Sequence, residues 1–350
     1  VVLEFGIQRG CFFCGGILVS PLSTERDLRK IVNPVNPARP VNPASIDRER
    51  LASLDLLACW IYQYMIYLLH ITTLIVILLV LCWSMQLSIG YTGILNLAHV
   101  AFMGVGAYVA VIAVKSYHLP LPLAFLFAIL SPLPLAWLLS RLTQKVHGDY
   151  LALMTLWFSF VVYVVELNLT GITRGPLGIS NIFLPGIGHT PESFFYLSTI
   201  IALSAYFLIR RIVHSPFGRV MAALRDDEVS ATVLGKNTVR VKQTVFLVSS
   251  MFAGLAGALF AFFIHFIDPS SFHLPLLVSV LTFLIVGGLG SLRATTVGVI
   301  ALVILQESLR FFPLSNEGIG AMRQILYALM LLLILYYRPK GMLGRVQLPA

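Results

Sequence analysis

Charge is scarce in this chain. Only 11% of its 350 residues are Asp, Glu, Lys or Arg, against about a quarter in a soluble domain. Hydrophobic residues make up 58% and gather in repeated runs long enough to cross a bilayer. The soluble class is thereby excluded, and a polytopic helical membrane protein is expected. The ten-residue alternation of a membrane barrel is also missing. A nucleotide-binding loop needs Gly-x4-Gly-Lys-Ser/Thr, so that backbone amides can cradle phosphates. The nearest stretch, Gly235-Lys236-Asn237, has Ser230 where the first glycine belongs and an asparagine where the hydroxyl belongs. No two histidines stand at His-x-x-x-His spacing, and neither a catalytic constellation nor a metal site is expected. Of the four cysteines, Cys11 and Cys14 form a lone CxxC, read as incidental, and Cys59 and Cys82 lie in apolar runs.

The charge that exists is unevenly placed. A formal net charge of +9 raises the question of nucleic acid, but no basic face is interleaved with exposed aromatics, and no nucleic-acid partner is expected. Lys and Arg collect in the first 50 residues, in the stretch 210–242 and after Tyr337. The 210–242 stretch holds seven basic residues (Arg210, Arg211, Arg219, Arg225, Lys236, Arg240, Lys242) against three acids. The connection 169–192 holds only Arg174 and Glu192. By the positive-inside rule, 214–242 and the C-terminus are cytoplasmic, with Arg141–His147 and Arg293 on the same side.

Taken in order, residues 1–53 differ from the rest. They repeat Asn-Pro at 33–34, 36–37 and 42–43, which starts turns and opposes helix. This segment is expected to be a disordered or mis-started tail, without the order of regions of a signal peptide. Apolar runs over 54–69 and 71–87 read as two short spans or one long one. Then Gly90, Tyr91, Gly93, Asn96 and His99 interrupt the pattern at membrane depth. A helix resumes over 98–114 with Gly104, Gly106 and Tyr108. Such a break is costly in lipid unless it packs on protein or lines a cavity. These residues are therefore candidates for the translocation path or for helix packing, with packing slightly ahead for Asn96 and His99 taken singly.

Further spans are expected at 120–139, 149–169, 193–212, 244–267, 275–286, 295–312 and 325–337, eight to ten in all. They form one bundle over 54–338, followed by a cytoplasmic tail. In the span after the charged stretch, Ala253, Gly257 and Ala261 recur every four residues, as do Gly254 and Ala258. Small residues in that register let helices approach closely. Glu307 and Arg310 stand at i and i+3 and read as a structural pair. Asp149 suits a helix N-terminus.

The charged interruption itself begins Ser215-Pro216-Phe217-Gly218-Arg219, a chain break. Val220 to Leu234 is helix-forming, carries Arg225, Asp226, Asp227 and Glu228, and ends on Gly235 as a C-cap. A short cytoplasmic helix fitted to a partner's groove is expected, weighed against a merely solvated one. Its Val229-Ser230-Ala231-x-x-x-Gly235 is a degenerate form of the Glu-Ala-Ala-x-x-x-Gly coupling motif, with Val229 in place of the acid.

Other motifs follow in order: Gly90-Tyr91-Thr92-Gly93 with Asn96 and His99, Gly148-Asp149-Tyr150, Gly175-Pro176-x-Gly178, Ser215 to Arg219, Phe252 to Gly257, Gly287 to Ser291, and Arg338-Pro339-Lys340-Gly341. As an ordered set over about 70–345, they resemble the permeases of branched-chain amino-acid importers of the ATP-binding cassette class, of the LivM type. The sequence departs from that pattern in two places. Leu177 replaces a usual asparagine, and Arg293-Ala294-Thr295 stands where the family usually continues Trp-Gly-Pro.

The resemblance implies an all-α bundle that is not itself an enzyme and binds no cofactor. ATP and Mg2+ would be used by two cytoplasmic ATP-binding subunits. A second, H-type permease subunit, an extracytoplasmic substrate-binding protein and membrane lipid complete the expected partners, in the cytoplasmic membrane. Leucine, isoleucine or valine is the implied cargo. The rivals are urea or another small amide on the same kind of machine, and an ion-coupled carrier. For a carrier, only Glu166 and Glu307 offer membrane carboxylates.

Overall fold

The structure, a computed structural model, describes residues 43–144, 146, 148–182 and 190–308, with 322, 325–326, 328–330, 332–333 and 336, and side chains from Ile61 onward. The chain divides into units 1–66 and 67–350. Of the first unit, only the helical backbone from Pro43 and the side chains from Ile61 are described; Cys11, Cys14, Asn33 and Asn36 lie outside the described residues.

The helices are α1 (Pro43–Gln86), α2 (His99–Lys115), α3 (Leu121–Leu130), α4 (Leu133–Leu142), α5 (Asp149–Asn168) and α6 (Thr170–Thr173). They continue as α7 (Pro191–Val213), α8 (Pro216–Asp226), α9 (Glu228–Val233), α10 (Thr238–Ile264), α11 (Leu274–Gly287) and α12 (Leu292–Ser308). Among the described residues, six segments are long and apolar enough to cross a membrane: Ile61–Tyr91, Leu121–Leu142, Asp149–Asn168, Pro191–Val213, Thr238–Ile264 and Pro269–Gly287. The expected eight to ten also counted α2 and α12, which are shorter, and the stretch to Tyr337, which is described only in part. The apolar runs at 54–69 and 71–87 form one helix.

At the centre α2 packs along α10. Both are apolar around most of their circumference, as a helix enclosed by others must be. Thirteen residues of α2 are buried, among them Phe102, Met103 and Tyr108. What permits the approach is the absence of side chains at the crossing. A Cβ on Gly106 would lie 2.3 Å from the Gly254 Cα, and one on Gly257 would lie 1.9 Å from the Met103 carbonyl oxygen. On another side of α10, a Cβ on Gly254 would fall 2.2 Å from the Ala128 carbonyl oxygen. Backbone therefore meets backbone on two sides of one helix. Ala253, Ala258 and Ala261 are fully buried in the same stretch.

The span expected at 120–139 is two ten-residue helices, α3 and α4, parted at Ser131-Pro132. Pro132 and Pro134 have no N–H to continue the ladder. The all-α expectation holds, with one short pairing beside it: β1 (Ile179–Ser180) lies antiparallel to β2 (Phe266–Ile267), with Ile179 opposite Ile267. Lys115 donates to the Ser180 carbonyl at 2.6 Å, and a ring nitrogen of His265 lies 2.9 Å from the Ile182 carbonyl. These contacts gather one end of the bundle. The other end holds the turn between α11 and α12, the end of α7, and α8 and α9.

Glu307 accepts a hydrogen bond from the Tyr67 hydroxyl. Its expected partner Arg310 lies outside the described residues.

Because the glycine contacts are backbone on backbone, Gly257→Ala should destabilise the protein by about 1–3 kcal/mol, the usual cost of overpacking. Gly171→Ala, with no neighbour within 4 Å, should leave the unfolding temperature unchanged. Thermal unfolding of the two variants in one detergent checks the contrast.

Candidate coupling site

The charged interruption folds as two helices, where the sequence reading expected one over 220–234. The cause is Asp227. Its backbone is extended, with φ −160° and ψ 115°. Its carboxylate accepts from the Val229 N–H at 2.8 Å and from the Ser230 hydroxyl at 2.5 Å. An aspartate that captures the amides ahead of it starts a new helix instead of continuing the old one. These bonds, the Ser230 hydroxyl foremost, hold the Asp227 carboxyl below its usual range.

The start of α8 is built similarly. Ser215 accepts from the Gly218 N–H at 3.4 Å, and Pro216 occupies the first turn. A Cβ on Gly218 would lie 1.9 Å from the Val213 carbonyl oxygen, so the chain folds back on α7 only with glycine there. Phe217 is half-buried and Arg219 exposed. At the end of α9, Gly235 has φ +76°. Its N–H donates to the Thr232 carbonyl at 2.9 Å, and the Lys236 N–H donates to the Ala231 carbonyl at 3.1 Å, the pair of bonds that closes a helix on a left-handed residue. Ala231 is buried, while Val229, Val233 and Leu234 are 72%, 81% and 75% exposed.

One ion pair and one hydrogen bond to a backbone carbonyl fix this unit to the bundle. Lys242, on α10, lies 2.6 Å and 2.7 Å from the two Glu228 carboxylate oxygens. Arg225 pairs with Asp226 at 3.0 Å and also donates to the Gly90 carbonyl at 3.2 Å. A Cβ on Gly93 would meet the Arg225 side chain at 3.0 Å.

That second contact places the break in the first long span. Leu87–Tyr91 is one turn of π-helix, the wide form that leaves carbonyls out of register. Thr92 repairs part of this, donating to the Leu87 and Ser88 carbonyls at 3.1 and 2.5 Å. Gln86 folds over Gly90, where a Cβ would sit 2.6 Å from its amide carbon, and donates to the Gly288 carbonyl at 3.2 Å. Asn96 accepts from the Ala98 N–H at 3.1 Å. The His99 ring lies 2.8 Å from the Ser84 hydroxyl. Thr155 receives the Leu97 N–H at 3.0 Å and donates to the Leu95 carbonyl at 3.2 Å.

The candidate residues thus fall into separate places. Gly90, Tyr91 and Gly93 lie against or near α8. Asn96 and His99 are buried among α1, α2 and α5. Gly104 and Tyr108 lie farther along α2, where a Cβ on Gly104 would come 2.8 Å from a Glu166 carboxylate oxygen, and where Tyr108 packs edge-on to Phe272 at 6.2 Å. Gln86 and Thr155 are not among the candidates, since nothing local distinguishes them from other polar residues in an apolar run, and Gly288 falls within the Gly287–Ser291 motif without its part as acceptor for Gln86 being readable there.

The family model described as "Branched-chain amino acid transport system / permease component" matches residues 67–335. The chain belongs to that family. Among its relatives, the high-affinity branched-chain amino acid transport system permease protein LivM of Escherichia coli is 32% identical, over 84% of this chain and 74% of the relative. A probable LivM of Methanocaldococcus jannaschii is 25% identical over 57% of this chain and 61% of the relative. The permease protein LivH of Escherichia coli is 25% identical over 74% and 90%. No solved structure matches. Family membership and the six apolar helices make this a multi-pass membrane permease, and the helix break, α8 and α9 all lie within the matched residues.

The Asp227 cap gives a pH prediction. A carboxyl depressed in the folded state contributes stability above its unfolded pKa of about 3.9 and loses it as pH falls through the lower folded value. Amide exchange at Val229–Val233, corrected for intrinsic rates, should therefore hold steady from neutral pH down to about 4 and quicken only below it. Asp227→Ala should exchange fast throughout.

Proposed function

We propose that this chain is one permease subunit of an ATP-driven importer of leucine, isoleucine and valine in the cytoplasmic membrane. A second permease subunit, similar to the H-type relatives, completes the pathway. Two ATP-binding subunits on the cytoplasmic side supply the energy from ATP and Mg2+, and a binding protein on the opposite side delivers the cargo. The end of the bundle with α8 and α9 faces the cytoplasm, in keeping with its basic residues.

The observation that carries this reading is a physical line from α9 to the helix break. Val229, Val233 and Leu234 form an exposed apolar patch outside the long spans, and such a patch marks a contact surface. Glu228 ties the patch to α10 and Arg225 ties α8 to Gly90. Movement of a docked motor would reach both the break and the central helix. The response is a shift between two packings of the bundle, biased by ATP and by the loaded binding protein.

Val233→Glu with Leu234→Glu should insert and fold normally, since both side chains are exposed, yet lose a central docking contact. Such losses run to about 2 kcal/mol or more, roughly thirtyfold in affinity. Co-purification of the ATP-binding subunits should fall accordingly, and undiminished co-purification would remove α9 from the docking role. In vesicles holding the whole assembly, labelled leucine, isoleucine and valine should accumulate only with ATP, undisturbed by a protonophore at constant ATP. Collapse under the protonophore would point to an ion-coupled carrier.

A further inference from the structure

Between the end of α7, the start of α12 and the helix break lies a cavity of about 190 Å³, lined by Tyr91, Tyr206, Arg210, His214, Ser291 and Arg293 among others. Its chemistry is one-sided. Arg210 and Arg293 come from different helices, and neither has a carboxylate partner among the described residues. The acids that follow Arg210 in the chain are engaged elsewhere, Asp226 by Arg225, Asp227 by Val229 and Ser230, Glu228 by Lys242, and Glu307, the acid nearest Arg293 in sequence, accepts from Tyr67. Both arginines are exposed and line a cavity that no carboxylate lines, a setting that suits an oxyanion, and planar guanidinium forks suit phosphate. The first turn of α12, where the Ala294 N–H meets the Ser291 hydroxyl at 3.4 Å, favours negative charge at the same place.

The walls are rigid and amphipathic. Trp83 of α1 packs on Tyr206 at 4.9 Å between ring centroids and donates to the Thr296 hydroxyl at 3.0 Å, which fastens α7 and α12 together. Along α7, away from the cavity, Phe207, Leu203 and Ile200 are exposed, as are Val297, Ile300 and Ile304 on α12. An apolar flank leading to a cationic cavity has the polarity of a phospholipid, tails along the helices and phosphate at the end.

We propose that this cavity binds the phosphate of an anionic phospholipid from the cytoplasmic leaflet, held by Arg210 and Arg293. The bound lipid would brace α7 against the Gly288–Ser291 turn, and that turn holds Gln86 beside the helix break. The inference rests on the cytoplasmic placement proposed above. A soluble phosphate would use the same two arginines but none of the apolar flank.

The test is native mass spectrometry of the full chain extracted from nanodiscs containing phosphatidylglycerol, or phosphatidylcholine alone. The wild type should retain phosphatidylglycerol and not phosphatidylcholine. Each of Arg210→Gln and Arg293→Gln should weaken retention roughly fivefold, and the pair roughly thirtyfold. Arg211→Gln should have no effect, and the double lysine variant should restore part of the retention. Equal retention by the wild type and the double glutamine variant overturns the proposal. So does displacement of the lipid by millimolar inorganic phosphate, which would assign the cavity to a soluble anion. In a parallel preparation co-expressed with the ATP-binding subunits, a double glutamine variant that keeps its lipid but loses those subunits also overturns it, in favour of a protein contact. Labelling of Arg211→Cys from the outer side would refute the placement alone, and the lipid retention reads out separately.

Discussion

The contact between α2 and α10 sets the geometry of everything around it. In lipid there is no hydrophobic gain in pressing two apolar helices together, so their association depends on close packing. Here closeness is reached by removing side chains. Gly106 faces Gly254, Gly257 faces the Met103 carbonyl, and Gly254 also admits the backbone of α3 at Ala128. A methyl at any of these points would have to displace backbone, which yields far less readily than the far end of a side chain. The centre of the bundle consequently has no room for an added side chain at these points.

What surrounds it is held by polar contacts that can exchange partners. The π-turn at Leu87–Tyr91 is kept in place by Gln86 on Gly288, by Thr92 on its own preceding carbonyls, and by Arg225 reaching across from α8. Each bond is directed at a backbone carbonyl that would be too costly to leave bare in a low-dielectric setting. The charged loop and the helix break therefore form one structural unit, although Arg225 and Gly90 stand 135 positions apart in the chain. Lys242 on Glu228 attaches that unit to the root of α10, the helix at the close-packed centre.

Much of the architecture is legible in local pattern. Apolar run length marks the spans, and the four-residue spacing of small residues from Ala253 to Ala261 marks α10 as a packing helix. Glycines, an asparagine and a histidine mark the break at 90–99. Partners are not legible: a spacing does not say that Gly254 meets Gly106 on one side and Ala128 on another. The same limit hides Gln86, Thr155 and Gly288, whose roles depend on groups distant in sequence. The splitting of the loop into α8 and α9 escapes for a different reason. Asp226, Asp227 and Glu228 read as charges on one helix as long as propensity alone is weighed, and the capacity of Asp227 to cap a new helix then goes uncounted.

In the importer proposed above, the link from Arg225 to Gly90 is where force on the loop would reach the membrane. Its most direct test is the number of substrate molecules imported per ATP hydrolysed, measured in vesicles for the wild-type assembly and for Arg225→Ala and Arg225→Lys. If the link transmits motion, both variants should assemble with the ATP-binding subunits and hydrolyse ATP, while import per ATP falls sharply. Alanine should fall further than lysine, which keeps the charge but lacks the fork that reaches Asp226 and Gly90 together. An unchanged ratio in Arg225→Ala, with assembly intact, would contradict it.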